Sequence, residues 1–283
     1  MSILPHSEKS SNFEMVLRSA MELPGVRINR VDFLRKELSK HFDSDVVEKA
    51  ILTNPAQAGI YVKNLEKIAK ACINYETKRV TALSAAAGIP GGLAMLGTLP
   101  ADIAQIFAHI IRVMQKLIYL YGWQEMFRDG NDELDDATSN QLTLFIGVMF
   151  GVNAANTAIT KIALLAAAQV ERALLTKALT KGTIYPIVKS IAKAIGVKMT
   201  KKIFAKGVGK AVPLVGAAAS GGVTFAIFRP MTKRLQNHLI SLPMADVGFY
   251  KESYDSEDII DIDFSDIILE DMDEMNDADD FEE

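Results

Sequence analysis

The sequence predicts an all-α protein, a glycine- and alanine-rich helical bundle that ends in a disordered acidic tail. Apolar residues recur at helical spacings of three to five, as at Leu65, Ile68 and Cys72, and alternating patterns typical of strands are almost absent before residue 245. Glycine and proline interrupt this pattern and mark where one helix ends and the next begins.

The first half of the chain predicts three helices beyond residue 28. Asn29 can accept a hydrogen bond from the first turn of a helix that reaches about His41. A longer pattern follows and ends at Ala87, before a segment rich in glycine and proline. Pro100 suits the first position of the next helix because its missing N–H would be unpaired there. Gly122 is predicted to end that helix.

The second half of the chain continues the helical pattern at about residue 137, after an acidic turn. The predicted elements are a helix over 137–181 with a break near Gly147 or Gly151, two short basic helices over 183–210 that separate near Gly196, and a final helix over 213–239.

The charge of the chain changes sign along its length. Residues 1–159 carry 16 bases and 17 acids, residues 160–244 carry 14 bases and one acid, and residues 245–283 carry one base and 17 acids. So many acids repel one another and leave too few apolar residues for a core, which predicts disorder in the tail. The expected divisions are an N-terminal helical segment (1–54), a helical core (55–243) and an acidic tail (244–283).

The cysteine content and the first residues indicate a cytoplasmic protein. The single cysteine, Cys72, cannot form an internal disulfide, so nothing indicates an oxidising compartment. The first twelve residues are polar and lack the apolar stretch of a secretory signal. We therefore expect a cytoplasmic location, or a peripheral one at the inner face of the cell membrane.

Three uncharged stretches reach the length that crosses a bilayer, about 20 residues. They cover 80–101, 137–160 and 211–228, and all are rich in Gly, Ala, Ser and Thr. Such residues gain little from transfer into lipid compared with Leu or Phe. Two interpretations stay open: closely packed helices of a protein core, or a hairpin that lies in or inserts into a membrane.

One predicted helix carries a polar line on an otherwise apolar surface. Asp102, Gln105, His109 and Arg112 follow spacings of three and four and share one face. Because polar groups in an apolar core need partners, this candidate buried face predicts a structural seam, a ligand or ion site, or a proton relay. No second histidine stands at ligand spacing, so we predict no metal, no cofactor and no assigned catalytic residue.

Regularly spaced lysines are the strongest physical signal in the basic segment. Lysines separated by four residues, with apolar residues between them, are typical of an interfacial helix attracted to anionic lipid. Arginine and stacking aromatics are scarce here, which argues against nucleic acid as a partner. A solvated helix face and an acidic protein partner remain open alternatives. The lysines are Lys189, Lys193, Lys198, Lys202, Lys206 and Lys210.

Several stretches of the sequence resemble the EcsC family of bacterial proteins. They are AAAGIPGGLAMLGTLPADIAQIFAHIIRVMQKLIYLYGW (85–123), DELDD (132–136), LFIGVMFGVNAANTAI (144–159), KALTKGTIYPIVKSIAKAIGVKMTKKIFAKGVGKAVPLVG (177–216) and, after a GG pair, FRPMTKRL (228–235). The resemblance covers about residues 60–240. It implies a helical bacterial protein from a family named after a gene beside an ABC exporter, and it implies no catalytic residues.

Together these features predict a non-enzymatic, peripherally membrane-associated helical protein of the EcsC-like family, with a role in export or envelope maintenance. Two alternatives stay open: a conditional pore-forming or membrane-inserting effector, and a hydrolase that uses the helix face from Asp102 to His109. The acidic tail either serves only to keep the protein soluble, or folds back on the basic helices of its own chain or pairs as a strand with the sheet edge of a protein partner, and so competes with lipid.

Overall fold

The computed structural model describes residues 6–87, 99–127, 134–168, 172–180, 184–207 and 213–251. Within these ranges every regular element is a helix, which confirms the all-α class. The helices are α1 (His6–Met21), α2 (Arg30–Leu38), α3 (Ser44–Leu52), α4 (Val62–Ala87), α5 (Leu99–Leu120), α6 (Asp136–Phe150), α7 (Asn153–Ala167), α8 (Arg172–Thr180), α9 (Ile184–Gly207) and α10 (Pro213–Ile240), followed by two short 3-10 helices, Pro243–Ala245 and Phe249–Lys251.

Helices α5 and α6 form the centre of the bundle. Nearly every side chain of α6 beyond Gln141 is buried, and α5 is buried on most sides between Ala104 and Leu120. A helix that is apolar on all sides must be buried by other helices on all sides. Accordingly, α5 contacts α1, α2, α4, α6 and α10, and α6 contacts α5, α7, α8, α9 and α10.

The N-terminal helices share this core. The ring of Phe13 on α1 lies 6.0 Å from that of Phe107 on α5, edge to face. Arg30, which is buried at the start of α2, donates from Nη1 to the carbonyl of Ile51 (2.7 Å) and from Nε to that of Trp123 (3.0 Å). One guanidinium thereby joins α2, the end of α3 and the segment after α5.

Most helix ends predicted from capping and breaking residues are confirmed. The side chain of Asn29 accepts a hydrogen bond from the backbone N–H of Asp32 (2.9 Å) and caps α2. Helix α4 ends at Ala87, and Gly122 follows α5 with φ 102°. The predicted break after residue 137 falls at Gly151, whose φ of 72° is the left-handed conformation that ends helices.

Two predicted boundaries are wrong. Residues 183–210 were expected to form two helices separated near Gly196, but α9 runs through Gly196 without interruption as far as Gly207. A helical glycine costs only about 1 kcal/mol relative to alanine, and the buried side chains of Ile191 and Ile195 on the preceding turns anchor the helix.

The predicted tail begins too early at residue 244. Met244, Ala245 and Val247 are buried, so the chain still packs on the bundle after α10. Farther along, the hydroxyl of Tyr250 accepts a hydrogen bond from the Asn54 amide (2.9 Å). Residues 252–283, to which the prediction of disorder applies, lie outside the described residues.

The uncharged stretch over 137–160 contains two packed helices. It divides at Gly151 into α6 and the first part of α7, which contact each other. A Cβ added at Gly147 would lie 2.7 Å from both Ala155 Cβ and Ile191 Cγ2, so the missing side chain lets α6, α7 and α9 approach closely. Across the described parts of the chain, no helix has the length and apolar composition needed to span a bilayer.

Gly122→Ala should test whether the chain after α10 packs against the end of α5, with Gly59→Ala as a matched control. Both glycines have positive φ, which costs an L-residue about 1–2 kcal/mol. At Gly59 a new Cβ meets nothing within 4 Å, whereas at Gly122 it lies 2.7 Å from the Met244 carbonyl oxygen. We expect urea unfolding to show Gly122→Ala less stable than the control by at least about 1 kcal/mol. Equal losses would contradict this packing.

Candidate functional site

A buried carboxylate on α4 meets three basic side chains from α5. Glu76 is 0% exposed. Its Oε1 accepts from Lys116 Nζ at 2.6 Å and from Arg112 Nε at 3.3 Å, and its Oε2 lies 2.8 Å from His109 Nδ1. We call these four residues the Glu76 cluster.

Helical spacing explains how one helix supplies all three bases. Positions 109, 112 and 116 are separated by three and four residues, so their side chains lie on one face of α5. On α4, Glu76 stands four residues after the buried Cys72 and four before the buried Val80, so it lies on the apolar stripe that packs against α5 and α10. An ionised group at such a position needs charged partners.

The bases keep the Glu76 carboxyl ionised. Burial raises the pKa of this group, but hydrogen bonds from His109 and Lys116, together with the positive charges of Lys116 and Arg112, outweigh burial and lower it to about 2. A carboxylate with so low a pKa stays ionised at neutral pH, which makes it a poor general acid or base there.

Aromatic and basic residues surround the outer side of the Glu76 cluster. Lys116 Nζ lies 5.0 Å from the ring centroid of Tyr75, which is a cation–π contact. Arg79 donates from Nη1 to the Tyr75 hydroxyl (3.1 Å). The side chain of Arg112 is 22% exposed and that of Lys116 12% exposed. The cluster therefore reaches the surface through its cations while its carboxylate stays inside.

Cys72, one turn before Glu76, is not an activated nucleophile. Its side chain is buried, and burial raises the pKa of the thiol to about 11 although Lys116 acts to lower it. The thiolate is the reactive form of cysteine, and at neutral pH this side chain remains a thiol. Cys72 acts as an apolar core residue.

The structure separates the four residues of the predicted polar face. His109 is buried and Arg112 partly buried, and both belong to the Glu76 cluster. Gln105 is exposed, so the burial predicted for it is wrong: a residue seven positions before Arg112 lies on the same helix face but beyond the cover of the neighbouring helices. The side chain of Asp102 lies outside those that the structure describes. Ten residues of helix separate position 102 from Arg112, about 15 Å, and Arg112 pairs with Glu76.

Two members of the cluster, Glu76 and Lys116, are not among the residues predicted from the sequence. Lys116 continues the predicted line by four residues beyond Arg112 and could have been included. Glu76 also left a signal, because Leu65, Cys72 and Val80 define an apolar stripe on α4 into which an acid intrudes. An acid in an apolar stripe predicts an ion pair only when its basic partner is known, and here that partner lies on another helix.

Among the described side chains, no nucleophile is hydrogen-bonded to the Glu76 cluster. His109 pairs with a carboxylate, as the base of a hydrolase does, but among the described residues its only hydrogen-bond partner is Glu76. No group of three metal-ligating side chains occurs in the described portion of the chain. The chemistry that these residues support is electrostatic: a buried anion surrounded by more positive than negative charge.

The described part of α9 presents lysines on its outer surface. Lys189 is exposed and Lys193 half-buried, and neither forms an ion pair with a described residue. The opposite face of the helix, with Ile184, Ile187 and Ile191, is buried against α1 and α6. The predicted lipid-contact side chains of Lys198, Lys202, Lys206 and Lys210 lie outside those described, although their backbone up to residue 207 belongs to the same helix.

The apolar face of α9 is therefore not available to a membrane over 184–195. The sequence predicted an interfacial helix with apolar residues opposite its lysines; these residues, Met199, Ile203, Val208 and Val212, have side chains outside those described. Over 184–195, the apolar residues of α9 complete the core. The outer surface of α9 over 184–195 carries the charges of Lys189 and Lys193, and the exposed Tyr185 lies one turn before Lys189.

The fold and these two features define an all-helical protein with a buried ion cluster and a lysine-bearing surface helix. No family model, curated protein or solved structure matches the chain. The resemblance to the EcsC family therefore stays a prediction from the sequence.

Replacing Glu76 by Gln should destabilise the protein strongly. The change leaves Lys116 and Arg112 largely buried without a counter-charge, and breaking a buried ion pair in this way costs about 3 kcal/mol or more. Urea unfolding at neutral pH measures the loss. The control is Glu66→Gln on the exposed side of the same helix, which should change stability by less than about 0.5 kcal/mol. Similar losses for both variants would show that the cluster does not hold α4 on α5.

Low pH should remove the stabilisation that the ionised Glu76 carboxylate provides. The pKa of Glu76 is lowered from 4.5 to about 2 by folding, so its contribution is complete above pH 4.5 and is lost as the pH falls towards 2. The shift corresponds to at most about 3 kcal/mol. Between pH 7 and pH 3 the parent protein should therefore lose more stability in urea than Glu76→Gln does. Parallel losses would contradict a lowered pKa.

Proposed function

We propose that this protein is a non-enzymatic, peripheral membrane protein of the EcsC-like type, held electrostatically at an anionic surface on the cytoplasmic side of the cell membrane. The observation that carries the proposal is the outward position of Lys189 and Lys193 on α9, without acidic partners among the described residues.

The charge of the surrounding segment supports this function. Residues 160–244 contain 14 bases and one acid. A lysine near an anionic lipid surface contributes about 1 kcal/mol, so the six lysines predicted to contact lipid would contribute about 6 kcal/mol together. Binding of that strength is reversible, and salt weakens it because the Debye length falls to about 8 Å at physiological ionic strength.

The buried apolar face of α9 supports surface contact over insertion. Ile184, Ile187 and Ile191 are used in the core, so attraction to lipid rests on lysine charge with Tyr185, 63% exposed, beside it. Tyrosine suits the interface because its ring is apolar and its hydroxyl is polar. The sequence resemblance adds the expectation of a role in export or envelope maintenance.

The other functions considered receive no comparable support. A hydrolase would need a nucleophile beside His109, and the described residues supply none with a hydrogen bond to it. A pore-forming effector would need apolar helix faces free to enter lipid, and α6 and α7 bury theirs in the bundle.

Flotation with vesicles measures the proposed binding. Vesicles with about 30% anionic lipid should carry the full-length protein at low salt, and Lys189→Gln/Lys193→Gln should weaken binding by about 30-fold, the equivalent of about 2 kcal/mol. The control is Lys36→Gln/Lys49→Gln, which removes the same charge from exposed positions on α2 and α3. Equal losses in the two variants, or equal binding to vesicles without anionic lipid, would contradict the proposal.

A further inference from the structure

Helix α4 carries a second row of lysines on its outer surface. Lys63, Lys67, Lys70 and Lys78 are all exposed, and at spacings of four, three and eight residues they lie on one face of the helix. We call this row the α4 lysine row. It faces away from the stripe that includes Glu76.

The α4 lysine row has almost no acid near it on its own helix. Glu66 is the only exposed acid among residues 62–83, where Arg79 adds a fifth exposed base. None of the four lysines forms an ion pair or hydrogen bond with a described residue. The row therefore presents unpaired positive charge along about 22 Å of helix, at 1.5 Å per residue.

The chain leaves the bundle beside the start of this row. The hydroxyl of Tyr250 accepts from the Asn54 amide (2.9 Å), and Lys251 Nζ lies 5.9 Å from the ring centroid of Tyr61. Tyr61 immediately precedes α4, and Lys63 follows two residues later. The last described residue, Lys251, therefore contacts a residue that stands two positions before the first lysine of the row.

We propose that residues 252–283 bind along the α4 lysine row of their own chain. This segment of 32 residues contains 16 acids and no lysine or arginine. About seven extended residues span 22 Å, so the segment is long enough several times over. Tethering keeps its effective concentration high, on the order of millimolar.

The position of residue 251 favours α4 over the helices first expected to receive the tail. Charge alone does not distinguish α4 from those helices, because the segment over 160–244 is also strongly basic. The contacts of Tyr250 and Lys251 place the tether at the N-terminal end of α4. Each exposed ion pair contributes at most about 1 kcal/mol, so binding depends on several pairs at once and on low salt.

The tail interaction is independent of membrane binding and can be measured without lipid. Full-length protein is treated with a glutamate-specific endoproteinase at about 20 mM and about 500 mM salt, since the Debye length shortens severalfold between them. Cleavage within 252–283 should be about tenfold slower at low salt, after correction for the cleavage rate of a synthetic 252–283 peptide.

Three variants assign the surface. Lys63→Gln/Lys67→Gln/Lys70→Gln/Lys78→Gln should abolish the protection, whereas the four corresponding Lys→Arg changes retain the charge and should keep it. Lys189→Gln/Lys193→Gln should also keep the protection.

In the parent protein, a carbodiimide should link tail carboxylates to lysines of α4, as identified by mass spectrometry of the monomer. Absence of salt-dependent protection, or its loss only in the α9 variant, would overturn the proposal.

Discussion

The ionised carboxylate of Glu76 sets the arrangement on which the rest of the structure depends. A charge buried between helices is stable only if its partners stay in place, and all three partners lie on α5, the helix at the centre of the bundle. The cluster therefore fixes both the rotation of α4 about its axis and its position along α5. Once Glu76 faces inward, Lys63, Lys67 and Lys70 on the other side of α4 must face outward.

The same division between faces occurs in α9. Its isoleucines fill the space beside α1 and α6, which leaves Lys189 outside. Over the described residues, the apolar surface of both helices is used for folding and lysine charge remains outside. Under the proposals above, partners of these helices would be recognised by negative charge more than by shape, and salt would weaken their binding.

Local signals explain which features could be predicted from the sequence. Asn29, Gly122 and Gly151 act on their own helix ends, through a cap or a positive φ, and their effect is visible in a few residues. The helix α9 continues through Gly196 because one helical glycine costs only about 1 kcal/mol, and the buried residues before it, Ile191 and Ile195, belong to contacts with other helices. The partner of Arg112 was missed for a similar reason: Glu76 lies 36 residues away, and only packing of α4 on α5 brings the two together.

Under the two proposals, α4 would hold the acidic segment of the chain while α9 binds an anionic surface. If the tail lay on α9, it would neutralise the lysines that membrane binding requires, and the two interactions would exclude each other. The contacts of Tyr250 and Lys251 place residue 251 at the N-terminal end of α4 instead. Negative charge on α4 would also repel an anionic membrane from that side of the bundle. The protein would then approach the membrane in one orientation, with α9 towards the lipid.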